Sequence, residues 1–534
     1  MIAQTFTAPR LVVSGLSGGG GKTLVSLGLA RALTLRGLRV KPCKKGPDYI
    51  DAAWLSLASG RTPTNLDPYF LSDDRLRALF RASFDDADLA IIEGNRGLYD
   101  GRDLEGSCST ATLARALDAP VLLTLTVTKM TRTAAAVVAG LANFEPVRLA
   151  GVILNRVGSS RHADLIRRSI ETYTGIPVLG EIPRLAENPI PERHMGLVSM
   201  HDESPDAPGR AELLTALDGL AALVESHLDI EALLNIARSA PDLADADTFW
   251  EEPQEPLSET AHSRRSILSE TLSNTGTEQG AQHTSASSAA SSAEAERHAL
   301  SVSAERPMTI GYVRDAALWF YYEENFEALR RAGARLVELS VLSPEPWPAI
   351  DELDGLYLGG GFPEMVPERL SGSPHLAEIR DYSMRNMPIY AECGGFMILC
   401  EALRIDGKDY PMAGLFPARA EFRPQPQGLG YVEATVEAEN PFHPVGAVLR
   451  GHEFHYSRCV ALGDLSPTLR LSPGVGMSGP GHRAKGLAAE GPDNLRSRDG
   501  LLVRNTFAAY THLFAPAVPH WARRFVAACR NAKR

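Results

Sequence analysis

Gly15-Leu16-Ser17-Gly18-Gly19-Gly20-Gly21-Lys22-Thr23 follows the apolar run LVVSG (11–15) and opens an amphipathic stretch from Thr23 to Arg36. Glycines let backbone N–H groups close on phosphate oxygens, and a helix N-terminus adds a favourable dipole. In such a loop Gly15, Gly18, Gly20 and Gly21 shape the cradle. Lys22 reaches the β- and γ-phosphates of a nucleotide, and the Thr23 hydroxyl ligates Mg²⁺. The spacing is one residue longer than GxxxxGK[ST], with Leu16 in the usual place. A second cluster, Lys44-Lys45-Gly46-Pro47-Asp48-Tyr49-Ile50-Asp51, ends the run RVKPCK (39–44). Two carboxylates three apart at a strand's carboxyl end, beside two lysines, suit a metal-phosphate site. The run LAIIEG (89–94) delivers Glu93, then Asn95-Arg96-Gly97-Leu98-Tyr99-Asp100-Gly101. An acid directly after an apolar run is where a second magnesium ligand belongs.

Different chemistry is written further along. Cys393, in Tyr390-Ala391-Glu392-Cys393-Gly394-Gly395, sits where an apolar strand breaks into small residues. A nucleophile on a sharp strand-to-helix turn needs glycines behind it, and the helix N-terminus is expected to lower the thiol pKa. A lone cysteine without context reads as a buried core thiol; here there is context. Gly359-Gly360-Gly361-Phe362-Pro363-Glu364 follows the preceding apolar strand, and the backbone donors of Gly360, Gly361 and Gly394 can hold an oxyanion. In Tyr510-Thr511-His512-Leu513-Phe514, His512 can act as base toward Cys393. Cys400 reads as core. His452-Glu453-Phe454-His455 has the spacing of a metal pair, but no cysteine or acid cluster accompanies it, and metal is the weaker reading.

These residues need two scaffolds. The 534 residues exceed one ordinary core, and 44% hydrophobic with 22% charged residues is the balance of a soluble globular protein. Lys and Arg number 54 against 65 Asp and Glu, so the formal charge of −11 argues against nucleic acid as a partner. No apolar run approaches the ~18 residues of a membrane span, and the N-terminal stretch lacks the parts of a secretory signal. The six cysteines form no CxxC pair, which argues against a disulfide framework or zinc ribbon. A cytoplasmic enzyme with small-molecule partners is the expectation; self-association stays open.

Val/Ile/Leu runs alternate with helical segments on both sides of a Ser/Thr/Ala/Glu/Gln-rich stretch. Continuous apolar runs separated by helices predict parallel sheets covered on both faces. The fold expected is therefore two α/β domains, 1–238 and 307–534, joined by a mostly disordered linker, 239–306, with a helical stretch around 289–300. The second domain adds antiparallel strands after its apolar runs. Residues 466–497 carry no assigned role.

GPDYID, EGxxGLYDG (93–101), GVILNRVGSSRH (151–162) and PERHMGL (191–197) together resemble the cobyrinic acid a,c-diamide synthase family of cobalamin biosynthesis, over almost the whole chain except the linker. The longer phosphate loop fits the dethiobiotin-synthetase-like branch. The resemblance implies a dethiobiotin-synthetase-like ATPase domain fused to a class I glutamine amidotransferase domain. It implies ATP- and glutamine-dependent amidation of the a and c acetate side chains of cobyrinic acid through acyl phosphates. Asp48, Asp51 and Glu93 would then hold magnesium, with Thr23, and orient the γ-phosphate and the substrate carboxylate. Asp100 matches an acid of the corrinoid site, Asn155 a position beside the adenine, and Lys44 a family lysine. Lys45 and Asn95-Arg96 stand where apolar residues are usual, which leaves the macrocycle open. Phe514 occupies the place where many class I members carry a triad acid, which the cobyrinate-type branch lacks.

Hydrogenobyrinic acid or nickel sirohydrochlorin is the alternative macrocycle; a cobyric acid synthase fits less well, because its motifs after the first strands differ. A P-loop switch protein of the partitioning type would carry a lysine where this chain has Ser17, and would have no use for Cys393 and His512. A purely structural second domain would not need to keep that pair.

Overall fold

The computed structural model describes residues 5–186, 209–244, 249–250, 306–478 and 495–533, with the backbone of 192–193 and 196–197. Of the PERHMGL motif only the backbone of Glu192, Arg193, Gly196 and Leu197 is described, and the helix expected around 289–300 and residues 479–494 lie outside the described residues.

In the first half the apolar runs become β1 (Arg10–Gly15), β2 (Val40–Lys45), β3 (Thr64–Leu66), β4 (Leu89–Glu93), β5 (Val121–Thr126), β6 (Leu149–Val157) and β7 (Val178–Pro183). They form one parallel sheet in the order β3-β2-β4-β1-β5-β6-β7. From β1 the chain moves outward one way and returns to place β4, then continues the other way. The crevice above the carboxyl ends of β1, β2, β4 and β5 is therefore the switch point where such sheets bind ligands. The amphipathic segments supply α1 (Lys22–Leu35) and α2 (Ile50–Ser59), which pack with Arg210–His227 and Ile230–Arg238 over one face. Thr133–Phe144 and Ser160–Thr174 cover the other.

The first half runs past its expected boundary at 238. Thr5–Phe6 pairs antiparallel with Leu243–Ala244. The buried Arg10 guanidinium donates to the carbonyls of Leu117 (2.6 Å), Ala8 (2.8 Å) and Pro241 (2.8 Å). Residues 239–244 thus belong to the sheet domain rather than to the linker.

In the second half, β8 (Met308–Val313), β9 (Ala334–Leu339), β10 (Gly355–Leu358), β11 (Ile389–Glu392), β12 (Gly428–Val436), β13 (Val448–His455), β14 (Leu501–Val503), β15 (Thr506–Ala509) and β16 (His512–Leu513) build two layers. The central sheet runs β9-β8-β10-β11-β15-β14, parallel except for the edge strand β14. The antiparallel strands expected after 395 include β12, β13 and β16, neighbours in a five-stranded sheet.

Residues 1–247 and 308–534 form one compact unit. Its two halves meet through an aromatic seam. Tyr69 stacks on Tyr431 at 4.2 Å and donates to the Val432 carbonyl at 2.8 Å; Phe70 stacks on Phe514 at 5.3 Å. Of residues 248–307, Phe249 and Trp250 meet edge to face at 4.9 Å. Among the described residues no helix is long and apolar enough to cross a membrane.

Candidate active sites

The phosphate loop joins β1 to α1. Gly21 precedes the helix at φ 93°, and no side chain caps the first turn. A Cβ on Gly21 would stand 2.3 Å from the Asn155 amide nitrogen, so the loop and β6 meet at glycine only. Asn155 donates to the Gly20 carbonyl at 3.1 Å and so braces the loop. Lys22 folds onto the loop, donating to the Ser17 carbonyl at 2.8 Å.

Three strand ends bring the predicted acids together. Buried Lys44, at the end of β2, lies 2.6 Å from Asp51, 3.2 Å from Glu93 and 3.8 Å from Asp48. Thr23 donates to Glu93 Oε1 at 2.7 Å, while Glu93 Oε2 is buried and without a hydrogen-bond partner among the described residues. Asp48 Oδ1 accepts the Asp51 N–H at 2.9 Å, and Asn65 ties the intervening loop to the Gly46 and Asp48 carbonyls. Burial raises Glu93 to about 7 and Asp48 to about 6. Asp51 resists the same burial because Lys44 holds it below the usual carboxylate value. Burial also opposes the Lys44 charge, but Asp51, Glu93 and Asp48 raise its pKa above the ordinary value. Asp100 accepts the Gly97 N–H at 2.8 Å.

Cys393 and His512 leave neighbouring parallel strands. Glu392 of β11 is paired with Ala509 of β15, and the Cys393 N–H donates to the Ala509 carbonyl at 2.7 Å. Cys393 has φ 48° and ψ −101°, a strained conformation of the kind that marks a nucleophile elbow. A Cβ on Gly395 would lie 2.4 Å from the Leu358 carbonyl, so the turn demands glycine there. The helix behind the thiol, Gly394–Leu399, is six residues long. The expected lowering of the thiol pKa is overturned: burial, then the Glu364 carboxylate, push it well up against the pull of the Gly394 N–H. The Cys393 Sγ contacts the Phe454 carbonyl at 3.5 Å.

The three predicted oxyanion glycines divide. Gly360 donates to the Phe320 carbonyl at 3.3 Å, so its N–H is already engaged. Its missing side chain matters more, because a Cβ would fall 2.3 Å from His512 Cε1. Gly361 and Gly394 come together, a Cβ on Gly394 lying 3.0 Å from the Gly361 nitrogen.

His452 of β13 faces His512 of β16 across an antiparallel pair, and the two rings stack at 4.7 Å and 16°. His455 stacks on Tyr510 at 3.9 Å. The HEFH run is therefore framework for the His512 region, and no group of three metal-ligating side chains occurs among the described residues. Asp499, unnoticed in the sequence, accepts from Tyr510 N–H (2.9 Å), Thr511 N–H (2.8 Å) and the Thr511 hydroxyl (2.7 Å), fixing the residues before His512. Phe514 packs between Phe70 and Tyr322, at 5.3 and 5.1 Å.

One cavity of about 760 Å³ borders both regions. Lys45, Asp48, Asp51, Arg96, Asp100 and Arg102 line it from the first half, and Tyr431, His452, Glu453 and Phe454 from the second. Both departures from the family pattern, Lys45 and Asn95-Arg96, lie on its wall.

Residues 11–198 match the family model of the CobQ/CobB/MinD/ParA nucleotide binding domain, and residues 309–518 that of the CobB/CobQ-like glutamine amidotransferase domain. A nucleotide site and a Cys/His glutaminase-type elbow in one unit define a class, the glutamine-hydrolysing carbon–nitrogen ligases that use ATP. Cobyrinate a,c-diamide synthase of Magnetococcus marinus is 38% identical over 97% of this chain and 96% of its own. The proteins of that name from Syntrophotalea carbinolica and Archaeoglobus fulgidus are 36% and 34% identical, over 98% and 97% of this chain and 99% and 97% of their own. The chain belongs to the cobyrinate a,c-diamide synthase family.

Proposed function

We propose that this enzyme amidates the a and c acetate side chains of cobyrinic acid, drawing ammonia from glutamine. The observation that carries the reading is one cavity bordered on one side by Asp48 and Asp51, the acids that gather around Lys44, and on the other by Phe454, whose carbonyl touches Cys393. Ammonia released at the thiol enters the space where the carboxylate is activated. Lys45, Arg96 and Arg102 give that space cations for the peripheral carboxylates of a macrocycle.

The steps follow from these groups. The substrate carboxylate attacks the γ-phosphorus of ATP in line, ADP leaves, and an acyl phosphate forms. Lys22 and Lys44 offset the charge of the transferring group. Magnesium fits the donor set, with Thr23, Asp48 and Glu93 holding it. The orphaned buried oxygen of Glu93 supports this, and a hydrated Mg²⁺ needs only one or two protein carboxylates beside phosphate oxygens. It would neutralise phosphate charge. Separately, His512 takes the thiol proton and the Cys393 sulfur attacks the glutamine amide carbon. The N–H groups of Gly361 and Gly394 hold the developing oxyanion, ammonia leaves with that proton, and water hydrolyses the thioester to glutamate. Ammonia attacks the acyl phosphate carbon, phosphate departs and an amide remains. Six free cysteines, five of them buried, fit the reducing cytoplasm.

Gly360→Ala tests the glutaminase geometry: its methyl would displace His512, lowering glutamate release about a hundredfold while ammonia-driven amidation continues.

The reading itself is tested by mass spectrometry of products from Mg-ATP, glutamine and cobyrinic acid, with hydrogenobyrinic acid and nickel sirohydrochlorin in parallel. Two successive mass changes on cobyrinic acid, faster than on the others, are expected. Preference for another macrocycle would overturn the substrate and keep the chemistry, the outcome that Lys45 and Arg96 on the wall would then explain.

A further inference from the structure

Tyr49 belongs to the synthetase half, between Asp48 and the first residue of α2, yet its ring is buried in the glutaminase half. It stacks on Phe320 at 4.9 Å and 6°, and meets Tyr322 at 4.6 Å and His512 at 5.4 Å. Its hydroxyl lies 3.3 Å from His512 Nδ1. The Tyr322 ring packs against Tyr49, and the Tyr322 hydroxyl lies 3.4 Å from His452 Nδ1. Nε2 of both histidines is buried without a partner among the described residues.

A base toward the thiol needs a free lone pair. With Nδ1 engaged by Tyr49, that lone pair must be on Nε2, and the proton must sit on Nδ1. One direction of the Tyr49–His512 hydrogen bond provides this: His512 Nδ1–H donates to the Tyr49 hydroxyl. The reverse direction would leave Nε2 protonated and useless as a base. Glu392 is the other acceptor in view, with Oε2 4.0 Å from Nδ1. Its two oxygens already accept from Leu513 N–H and the Tyr357 hydroxyl, both at 3.0 Å, and burial raises it to about 8, leaving it largely neutral at pH 7. Among the described residues His452 and His455 also act on His512, and neither offers Nδ1–H a carboxylate.

We propose that Tyr49, contributed by the synthetase half, is the positioning residue of the glutaminase histidine, accepting a hydrogen bond from Nδ1–H and so fixing His512 in the tautomer with a basic Nε2. The inference rests on the Cys393/His512 reading above. Tyr49 takes the place that an acid two residues after the histidine fills in other class I glutaminases, a place closed here by Phe514.

The test uses full-length Tyr49→Phe, which keeps the ring and removes only the hydroxyl. Glutamate release without ATP is expected to fall about tenfold in kcat, with KM for glutamine within about twofold of wild type. A packing role alone would leave kcat unmoved. Imidazole ¹⁵N spectra of histidine-labelled protein, with His512 assigned by the His512→Gln variant, should show Nδ1–H in the wild type and a shift toward Nε2–H in Tyr49→Phe. Wild-type kcat in Tyr49→Phe, or an Nε2–H tautomer in the wild type, would overturn the proposal. Should Tyr49→Phe fail to fold, the wild-type spectrum decides alone: Nδ1–H on His512 supports the proposal and Nε2–H is fatal to it. Glutamine use surviving in Cys393→Ala would instead sink the reading underneath.

Discussion

Cys393→Ala is expected to lose glutamine-driven amidation by at least about a thousandfold while ammonia-driven amidation runs at the wild-type rate. The split follows from the separation of the two chemistries on the chain. The thiol contacts the Phe454 carbonyl, apart from the carboxylates gathered around Lys44. Alanine at φ 48° carries the same backbone strain as cysteine, so the elbow should keep its shape. Burial holds the thiol in its neutral form, so on the function proposed above the sulfur depends on proton removal by His512, itself neutral because burial, His452 and His455 hold its pKa well below the ordinary value. Product formation from glutamine and from ammonium chloride, followed by mass spectrometry, gives both rates. Equal loss with both nitrogen sources would place Cys393 in the fold rather than in the chemistry.

The mirror-image result is expected of Glu93→Gln: amidation falls about 10²- to 10³-fold with either nitrogen source, and glutamate release without ATP persists. The substitution keeps the shape and removes a buried charge. In the wild type Glu93 accepts from Thr23 at 2.7 Å and from Lys44 at 3.2 Å. An amide oxygen can still accept from Thr23 and Lys44, but Lys44 loses a counter-charge and the proposed magnesium an anionic oxygen. Phosphate release in the presence of cobyrinic acid should fall in parallel with product. Retained amidation would remove Glu93 from the metal site.

The phosphate loop, the acids at strand ends and the cysteine before two glycines were all legible, because each is a local pattern whose chemistry needs contiguous residues. The parallel sheets followed from buried Val/Ile/Leu runs. What escaped were effects of docking. Tyr49 stood inside GPDYID without a role, since nothing local tells that a ring between two acids buries itself against residues 320 and 512. Phe514 was legible as a missing acid, not as a ring held by Phe70. Asp499 acts only by satisfying backbone N–H groups near His512. The domain limit at 238 was too early because two-residue strands carry no periodicity. The thiol pKa was misjudged because burial outweighs a short helix.

The sheet order β10-β11-β15 has a consequence for synthesis. Tyr49, Cys393 and His512 leave the ribosome in that order, and β11 remains an open edge until Thr506–Ala509 has been made and laid against it. Before then Cys393 lacks both the Ala509 carbonyl that fixes its N–H and the histidine that would activate it. Domains fold as units, earlier ones first during translation, so the half that consumes ammonia is built before the half that releases it can work. A nascent chain therefore carries an idle cysteine, and unfinished copies of the enzyme leave the cell's glutamine alone.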